Sequence, residues 1–321
     1  MDLATLPVLS LADAPDSLAR DLGDSFATFG FAMVKDHGLD PALVARAWGL
    51  TAQFFALPEA EKRGYLIPGQ GGARGYTAFG TEIAKGAKAH DLKEFWHVGR
   101  DLPAGHPLSD SMPPNIWPAK PEGFRETFET LYGDLDRVGA TILARIAVWL
   151  GLDERWFDPA IDEGNSVLRL LHYPPVADGA KEADGGGAIR AGAHEDINLI
   201  TLLLGAEEAG LELLTKDGKW LAVDPPEGAL VVNIGDMLQR LTNHVLPSTT
   251  HRVRNPAGPR AAHSRYSMPF FLHLRSDFPF VTLPQCVTAE RPDRYSPKNG
   301  QAPITADDYL QERLREIGLK K

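Results

Sequence analysis

Two histidines and one aspartate carry the clearest chemistry in this sequence. His194 and Asp196 flank a single residue at the start of a strand-like segment, and His251 stands on a later segment of the same kind. On a β-strand, side chains two residues apart share a face at about 6–7 Å, so this imidazole and carboxylate can bind one metal ion. A second imidazole completes a two-His-one-carboxylate set. That set leaves adjacent coordination positions open and is typical of non-haem Fe(II) oxygenases.

A second pair of residues has the chemistry of an anion site. Arg265 and Ser267 alternate on a predicted strand and therefore face the same side. A guanidinium binds a carboxylate through two parallel hydrogen bonds, and a neighbouring hydroxyl adds a third. His-x-Asp and Arg-x-Ser are each expected about once by chance in a chain of this length, so each is weak alone. A second copy, Arg294-Tyr295-Ser296, lies among prolines and is interpreted as loop.

The composition limits the classes of function. The chain has 321 residues and a net charge of −10, and it lacks the basic stripe that nucleic-acid binding requires. Cys286 is the only cysteine, which excludes an intramolecular disulfide and a Cys-rich zinc site. The sequence has no signal-peptide pattern and no apolar run long enough for a membrane span. We therefore expect a cytoplasmic protein without a nucleic-acid, membrane or obligatory protein partner.

The elements that position these residues change character along the chain. Apolar spacing predicts helices from Leu18 to Phe29, from Pro41 to Phe55, and over a long stripe from Phe124 to Trp149 that packs on something flat. Beyond Asn165, short apolar or alternating runs separated by Gly, Pro and Asp predict strands. These runs are Val167–Tyr173, Leu199–Leu204, Leu211–Leu214, Trp220–Val223, Leu230–Ile234, Arg252–Val253 and Tyr266–Leu274.

This pattern predicts a mainly β fold with flanking helices. Many short, regularly spaced strands favour a double-stranded β-helix, or jelly-roll, core, preceded by a helical N-terminal half and covered by the long helix. Lys216–Lys219 is a hairpin turn signal, and Thr305 followed by Asp308 predicts a capped terminal helix. The Gly-rich segment 178–190 is interpreted as a loop that closes over the site. We predict one domain, 1–321, with an N-terminal region at 1–120 and the catalytic core at 165–275.

In order along the chain, six stretches resemble the isopenicillin N synthase-like branch of the 2-oxoglutarate/Fe(II)-dependent dioxygenases. The order of these stretches is far more specific than any one of them. They are Phe29–Gly38, Phe54–Pro58 with Glu61-Lys62, Lys93–Gly99, His194–Leu203, Gly235-Asp236 with Thr242-Asn243, and Ser248–Val253 followed by Arg265–Ser267.

The resemblance implies a role for each candidate residue. His194, Asp196 and His251 would bind Fe(II), and Arg265 with Ser267 would hold the distal carboxylate of 2-oxoglutarate. The cosubstrate and O2 would take the remaining metal positions, and oxidation of a small-molecule substrate would release succinate and CO2. Where the family often has Asn-Tyr-Tyr-Pro, this chain has Leu171-His172-Tyr173-Pro174. Tyr173 can still line the cosubstrate pocket, but the Asn amide near the cosubstrate is missing.

Two alternatives remain at this stage. One is an Fe(II) oxidase of the same fold that does not use 2-oxoglutarate, which the Arg265/Ser267 pair disfavours. The other is a non-catalytic jelly-roll protein that binds metal or 2-oxoglutarate. The other histidines and the aromatic residues near the strands are interpreted as caps, core or pocket lining, and periodicity does not decide among these. They are His37, His97, His172, Phe95, Trp96, Phe270 and Phe271.

Overall fold

Two β-sheets that pack against each other form the centre of the computed structural model. The structure describes residues 5–69, 72–81, 91–175, 190–205, 210–254, 262–297 and 300–316. The strands are β1 Val8–Ser10, β2 Phe31–Lys35, β3 Gly75–Thr77, β4 Glu94–Gly99, β5 Val167–Tyr173, β6 Ala191–His194, β7 Ile200–Leu204, β8 Leu211–Leu214, β9 Trp220–Ala222, β10 Leu230–Ile234, β11 His251–Val253 and β12 Arg265–Leu272.

The larger sheet has eight strands in the order β1-β2-β10-β7-β12-β5-β4-β3, and the smaller has four in the order β6-β11-β8-β9. All pairs are antiparallel except β1 with β2. A buried apolar cluster joins the two sheets, with Phe31 and Val231 from the larger and Leu213 and Val253 from the smaller. The predicted jelly-roll core is confirmed by this arrangement and by the comparisons below.

Seven α-helices lie in the described part of the chain. They are α1 Pro15–Phe29, α2 Pro41–Phe55, α3 Glu59–Arg63, α4 Phe124–Trp149, α5 Asp158–Ile161, α6 Asp236–Leu241 and α7 Ala306–Glu316. The helices α1 and α2 begin with proline, whose fixed φ suits the first helical position. The predicted start of α7 is confirmed, because the Asp308 N–H donates to Thr305 Oγ1 and Asp308 Oδ2 accepts from the Thr305 N–H. None of these helices has the length and apolar character to cross a membrane.

The long helix α4 covers the outer face of the larger sheet. Its apolar stripe is buried, as its spacing predicts, with Phe128, Leu135 and Ile142 fully buried. At Gly139 the helix lies so close to β12 that a Cβ would meet Leu272 Cδ1 at 2.3 Å. A side chain at residue 139 would displace the Leu272 side chain, because α4 packs closely on β12 at this point.

Strand alternation divides the larger sheet into two faces. Trp96 on β4, Leu170 on β5 and Phe270 on β12 have no exposed surface and belong to the helix-covered core. Phe95 and Tyr173 form a separate cluster on the opposite, inner face. Residues that lie an even number of positions from Phe95 on β4 or from Tyr173 on β5 therefore also point into the space between the sheets.

The other predicted strands are found with small shifts at their ends, and the hairpin at Lys216–Lys219 joins β8 to β9. Strands β1, β3, β4 and β6 and helices α3, α5 and α6 were not predicted. Residues 178–189 of the predicted closing loop lie outside the described residues.

Candidate functional site

The two candidate histidines come from neighbouring strands of the smaller sheet. His194 is the last residue of β6 and His251 is the first of β11, and the antiparallel register places them directly opposite each other. Their ring centroids are 4.4 Å apart. Phe31 of the larger sheet meets the His251 ring edge-on at 5.5 Å. The imidazoles therefore lie between the two sheets.

Asp196 reaches the histidines from a loop, and the prediction that it shares a strand with His194 is wrong. Strand β6 ends at His194, and Asp196 lies in the connection to β7. The start of α6 holds this connection: the N–H of Gly235, the residue before the helix, donates to the Leu199 carbonyl, and the N–H of Asp236 donates to the Asp196 carbonyl, both at 2.9 Å. A Cβ on Gly235 would lie 2.2 Å from a carbonyl oxygen of this loop, so only glycine fits. The start of α6 thus positions Asp196, a role that the sequence analysis assigned to a strand shared with His194.

The three side chains converge on one point. The Nε2 atoms of His194 and His251 lie 3.6 and 3.8 Å from Asp196 Oδ1, and all three ligand atoms lie within 4.8 Å of one another. Metal–ligand bonds of about 2.0–2.2 Å place two ligands of one ion no more than about 4.4 Å apart. Both histidine–aspartate distances satisfy that limit. In the described part of the chain this is the one group of His, Cys, Asp and Glu side chains with such geometry.

Backbone carbonyls fix the tautomers of both imidazoles. His194 Nδ1 lies 2.7 Å from the Gly192 carbonyl, and His251 Nδ1 lies 3.1 Å from the Thr249 carbonyl. A carbonyl oxygen only accepts hydrogen bonds, so both Nδ1 atoms carry the proton and donate. The lone pairs are therefore on the two Nε2 atoms that face Asp196. Histidines that bind metals are commonly oriented in this way.

The larger sheet orients the carboxylate. Thr201 Oγ1 on β7 and Asn233 Nδ2 on β10 donate to Asp196 Oδ2 at 2.5 and 2.8 Å, and Asn198 Nδ2 donates to Thr201 Oγ1 at 2.8 Å. These bonds turn Oδ1 toward the histidines. The site thus joins both sheets, with the histidines on one and the carboxylate anchored to the other.

The local electrostatics favour the protonation states that bind a metal. The pKa of His194 is lowered to about 4, mainly by partial burial and to a smaller extent by the charge of the neighbouring His251. Burial by itself would raise the pKa of Asp196, but both histidines and the hydrogen bonds from Thr201 and Asn233 outweigh it and hold that pKa below its usual value. At neutral pH the site therefore presents a neutral His194 and an ionised carboxylate.

The predicted anion pair lies on the inner face of the larger sheet. Arg265 and Ser267 on β12 are 4% and 3% exposed, so a carboxylate bound to them would be withdrawn from water. Arg265 stands opposite Tyr173 on β5, and its Cζ lies 5.2 Å from the centre of the Tyr173 ring. Arg190, also buried, approaches the same ring at 5.9 Å. Tyr173 therefore contacts two buried guanidinium groups.

Leu171, which stands where the related family often has Asn, lies on the inner face of the larger sheet. Leu171 stands opposite Ser267 and packs with Phe95 and Tyr173. The position where the related family often has an amide is therefore an apolar wall beside the candidate cosubstrate residues.

Sequence reasoning missed a buried ion pair beside the metal ligands. Lys93 Nζ lies 2.9 Å from Asp91 Oδ2, and both side chains are about nine-tenths buried. Asp91 Oδ1 accepts the Gly192 N–H at 3.3 Å, and the Gly192 carbonyl in turn accepts from His194. Asp91 thus supports β6, an edge strand of the smaller sheet. No local pattern could have identified it, because the contact joins distant parts of the chain.

The contacts of the remaining candidate residues show that they serve other purposes than metal binding. His37 Nε2 bonds to the Gly228 carbonyl, and His172 Nδ1 bonds to the buried Glu94 carboxylate at 2.6 Å, so neither joins the metal group. Arg294-Tyr295-Ser296 lies in a loop outside the strands, as predicted. Phe95 and Phe271 face the interior between the sheets, whereas Trp96 and Phe270 lie in the outer core.

Comparisons with known proteins agree with this geometry. Residues 2–120 match the family model described as non-haem dioxygenase in morphine synthesis N-terminal, and residues 164–274 match the 2OG-Fe(II) oxygenase superfamily. The 2-oxoglutarate-Fe(II) type oxidoreductase hxnY of Emericella nidulans is 33% identical over 93% of this chain and 84% of its own length.

Two solved structures have the same fold. A 2OG-Fe(II) oxygenase family protein from Caulobacter crescentus superposes with a TM-score of 0.88 at 52% identity, covering 98% of this chain and 99% of that one. A full-length Neurospora crassa protein in complex with alpha-KG and thymine superposes with a TM-score of 0.84 at 29% identity, covering 98% and 97%. The chain belongs to the 2OG-Fe(II) oxygenase superfamily. It is a 2-oxoglutarate-dependent dioxygenase that uses Fe(II) and O2 and acts on a small molecule.

Proposed function

We propose that His194, Asp196 and His251 hold Fe(II) in this enzyme. The observation that carries the proposal is the pair of Nε2 lone pairs and the free Asp196 oxygen aimed at one point. Two imidazoles and one carboxylate suit Fe(II), and they also suit other divalent ions, so iron selection depends on metal supply. The hydrogen bonds of Thr201 and Asn233 occupy Asp196 Oδ2, so Oδ1 is the oxygen that would bind the ion.

We propose that Arg265 and Ser267 bind the distal carboxylate of 2-oxoglutarate. The buried guanidinium offers a planar fork for bidentate bonds, and Ser267, two residues further along β12, offers a hydroxyl on the same face. Tyr173 and Leu171 belong to a buried apolar cluster beside these two residues. When bound at the three ligands, Fe(II) supplies O2 activation coupled to decarboxylation of 2-oxoglutarate to succinate and CO2.

The chain oxidises its small-molecule substrate by hydroxylation, desaturation or ring closure, which share this ligand set. An oxidase that does not use 2-oxoglutarate would have no use for the buried Arg265, so the cosubstrate route is favoured. The organisation as one domain and the cytoplasmic location stay predictions.

The test separates metal binding from turnover. Wild-type protein, stripped of metal and reconstituted anaerobically with Fe(II), should bind one ion, whereas His194→Ala and Asp196→Ala should not retain stoichiometric iron. The matched control is His37→Ala, which removes an imidazole that bonds a carbonyl away from the site. Succinate should form with O2 only when iron and 2-oxoglutarate are both present. Full iron occupancy in both His194→Ala and Asp196→Ala would contradict the proposal that these residues bind the iron.

A further inference from the structure

The chain that follows the last strand contacts helix α6 at its start. The described part of this C-terminal segment comprises residues 275–297 and 300–316 and includes α7. Asp236, the first residue of α6, is 3% exposed, and its Oδ2 accepts hydrogen bonds from the Tyr309 hydroxyl at 3.0 Å and from Arg313 Nε at 2.9 Å. Asp236 Oδ1 is buried and has no hydrogen-bond partner within the described residues. In this part of the chain, both hydrogen bonds of the buried carboxyl therefore come from α7.

The same segment contacts the rest of α6. Near the end of the helix, Arg240 Cζ lies 4.8 Å from the centre of the Tyr295 ring and 5.0 Å from that of Tyr309, distances at which a guanidinium and an aromatic ring attract each other. Asn243, two residues after the helix, donates from Nδ2 to the Arg291 carbonyl at 3.2 Å. These contacts extend from one end of α6 to the other, so the position of this short helix depends on the C-terminal segment.

Helix α6 in turn contacts the loop that carries Asp196. The Asp236 N–H, on the same residue whose carboxyl α7 binds, donates to the Asp196 carbonyl at 2.9 Å. The backbone of Asp196 is thus held by α6, whereas its side chain is held by the larger sheet. A short series of hydrogen bonds therefore leads from Arg313 and Tyr309 through Asp236 to a residue of the candidate metal site.

We propose that Arg313 and Tyr309 of the C-terminal segment are positioning residues for the metal site: they fix Asp236, and Asp236 places Asp196 for metal binding. They act on the ion through Asp236 and do not touch it. A buried carboxyl without hydrogen-bond donors is unfavourable, so Asp236 is expected to turn away if both donors are removed. Its N–H then shifts with it, and the Asp196 carbonyl loses its partner. The proposal rests on the proposed function, which assigns Asp196 to the metal.

The experiment is an anaerobic titration of the metal-free, full-length protein with Fe(II), followed by calorimetry. Tyr309→Phe removes only a hydroxyl and keeps the ring, and Arg313→Met removes the guanidinium but keeps an unbranched side chain. Each should weaken Fe(II) binding about threefold to thirtyfold, the range expected for a residue that acts on a site through its neighbours. The matched control is Arg315→Met, which removes an exposed arginine from the same helix and should leave the Fe(II) affinity unchanged.

A double-mutant cycle tests whether Arg313 acts through Asp236. In an Asp236→Ala background, Arg313→Met should cause no further loss of Fe(II) affinity, because the carboxyl that it fixes is gone. Arg313→Lys keeps a charged donor and should recover part of the affinity that Arg313→Met loses. The visible absorption of the Co(II)-loaded protein, which depends on the number and geometry of the ligands, should change in Arg313→Met and match that of the wild type in Arg315→Met. A helix that only stabilised the fold would lower the unfolding midpoint without altering this spectrum.

Two results would overturn the proposal. One is wild-type Fe(II) affinity in both Tyr309→Phe and Arg313→Met; because Tyr309→Phe keeps its ring, it remains a test even if Arg313→Met folds poorly. The other is an equal loss from Arg313→Met with and without the Asp236 carboxyl, since Arg313 would then act by another route. If the wild-type protein bound no Fe(II), or if Asp196→Ala bound it as tightly as the wild type, the proposed function would fail instead.

Discussion

Replacing Arg265 with alanine should weaken 2-oxoglutarate binding strongly and leave metal binding intact. The guanidinium is only 4% exposed, so solvent and salt screen its interaction with a bound carboxylate very little. Removing one partner of such a desolvated charge pair costs about 2–5 kcal/mol, mostly because the other charge stays buried without a match. The dissociation constant for 2-oxoglutarate should therefore increase by a factor between about thirty and several thousand.

The assay is anaerobic titration of 2-oxoglutarate into Fe(II)-loaded protein, followed by calorimetry. Arg265→Lys should show an intermediate loss, since an ammonium keeps the charge but not the bidentate geometry. Arg294→Ala is the matched control, because it removes the arginine of the second Arg-x-Ser copy, which is exposed in a loop. The reasoning would be refuted if Arg265→Ala still bound iron and kept a 2-oxoglutarate affinity within about threefold of wild type. An equal loss of affinity in Arg294→Ala would mean that the other Arg-x-Ser copy binds the cosubstrate.

Three further predictions concern the support of the site. Thr201→Val removes a hydrogen bond from Asp196 and should weaken metal binding about tenfold to a hundredfold in a metal titration; unchanged metal affinity would contradict this support of the carboxylate. Asp91→Asn should keep more metal affinity than Asp91→Ala, because an amide oxygen can still accept the Gly192 N–H; equal losses would disprove the support of β6. Burial lowers the pKa of His273 to about 4, so the unfolded chain takes up this proton near pH 6.5 and the folded chain does not. Denaturant titrations should show stability falling between pH 6.5 and 4, about 3 kcal/mol of it from His273, and a shallower fall in His273→Phe; identical slopes would contradict this origin.

The sequence by itself determined the local elements whose signals are periodic. Helix α4 follows directly from its apolar stripe, because a 3.6-residue period puts those residues on one face whatever they pack against. The terminal helix follows from Thr305 and Asp308, whose bonds are local. The residue types at the candidate site and their order along the chain were also sufficient to predict the family.

The tertiary structure alone decided the geometry of the site. Asp196 faces the histidines because α6 holds its loop, not because it alternates on a strand with His194. Strands β1 and β3 are three residues long, and pairing with distant strands, which no local pattern encodes, makes them strands.

The same reason explains the support of β6 by Asp91 and the bonds of Tyr309 and Arg313 to Asp236. Periodicity gives the direction of a side chain relative to its own element. It does not say which element lies opposite, and sheet register, a long-range property of packing, decides that.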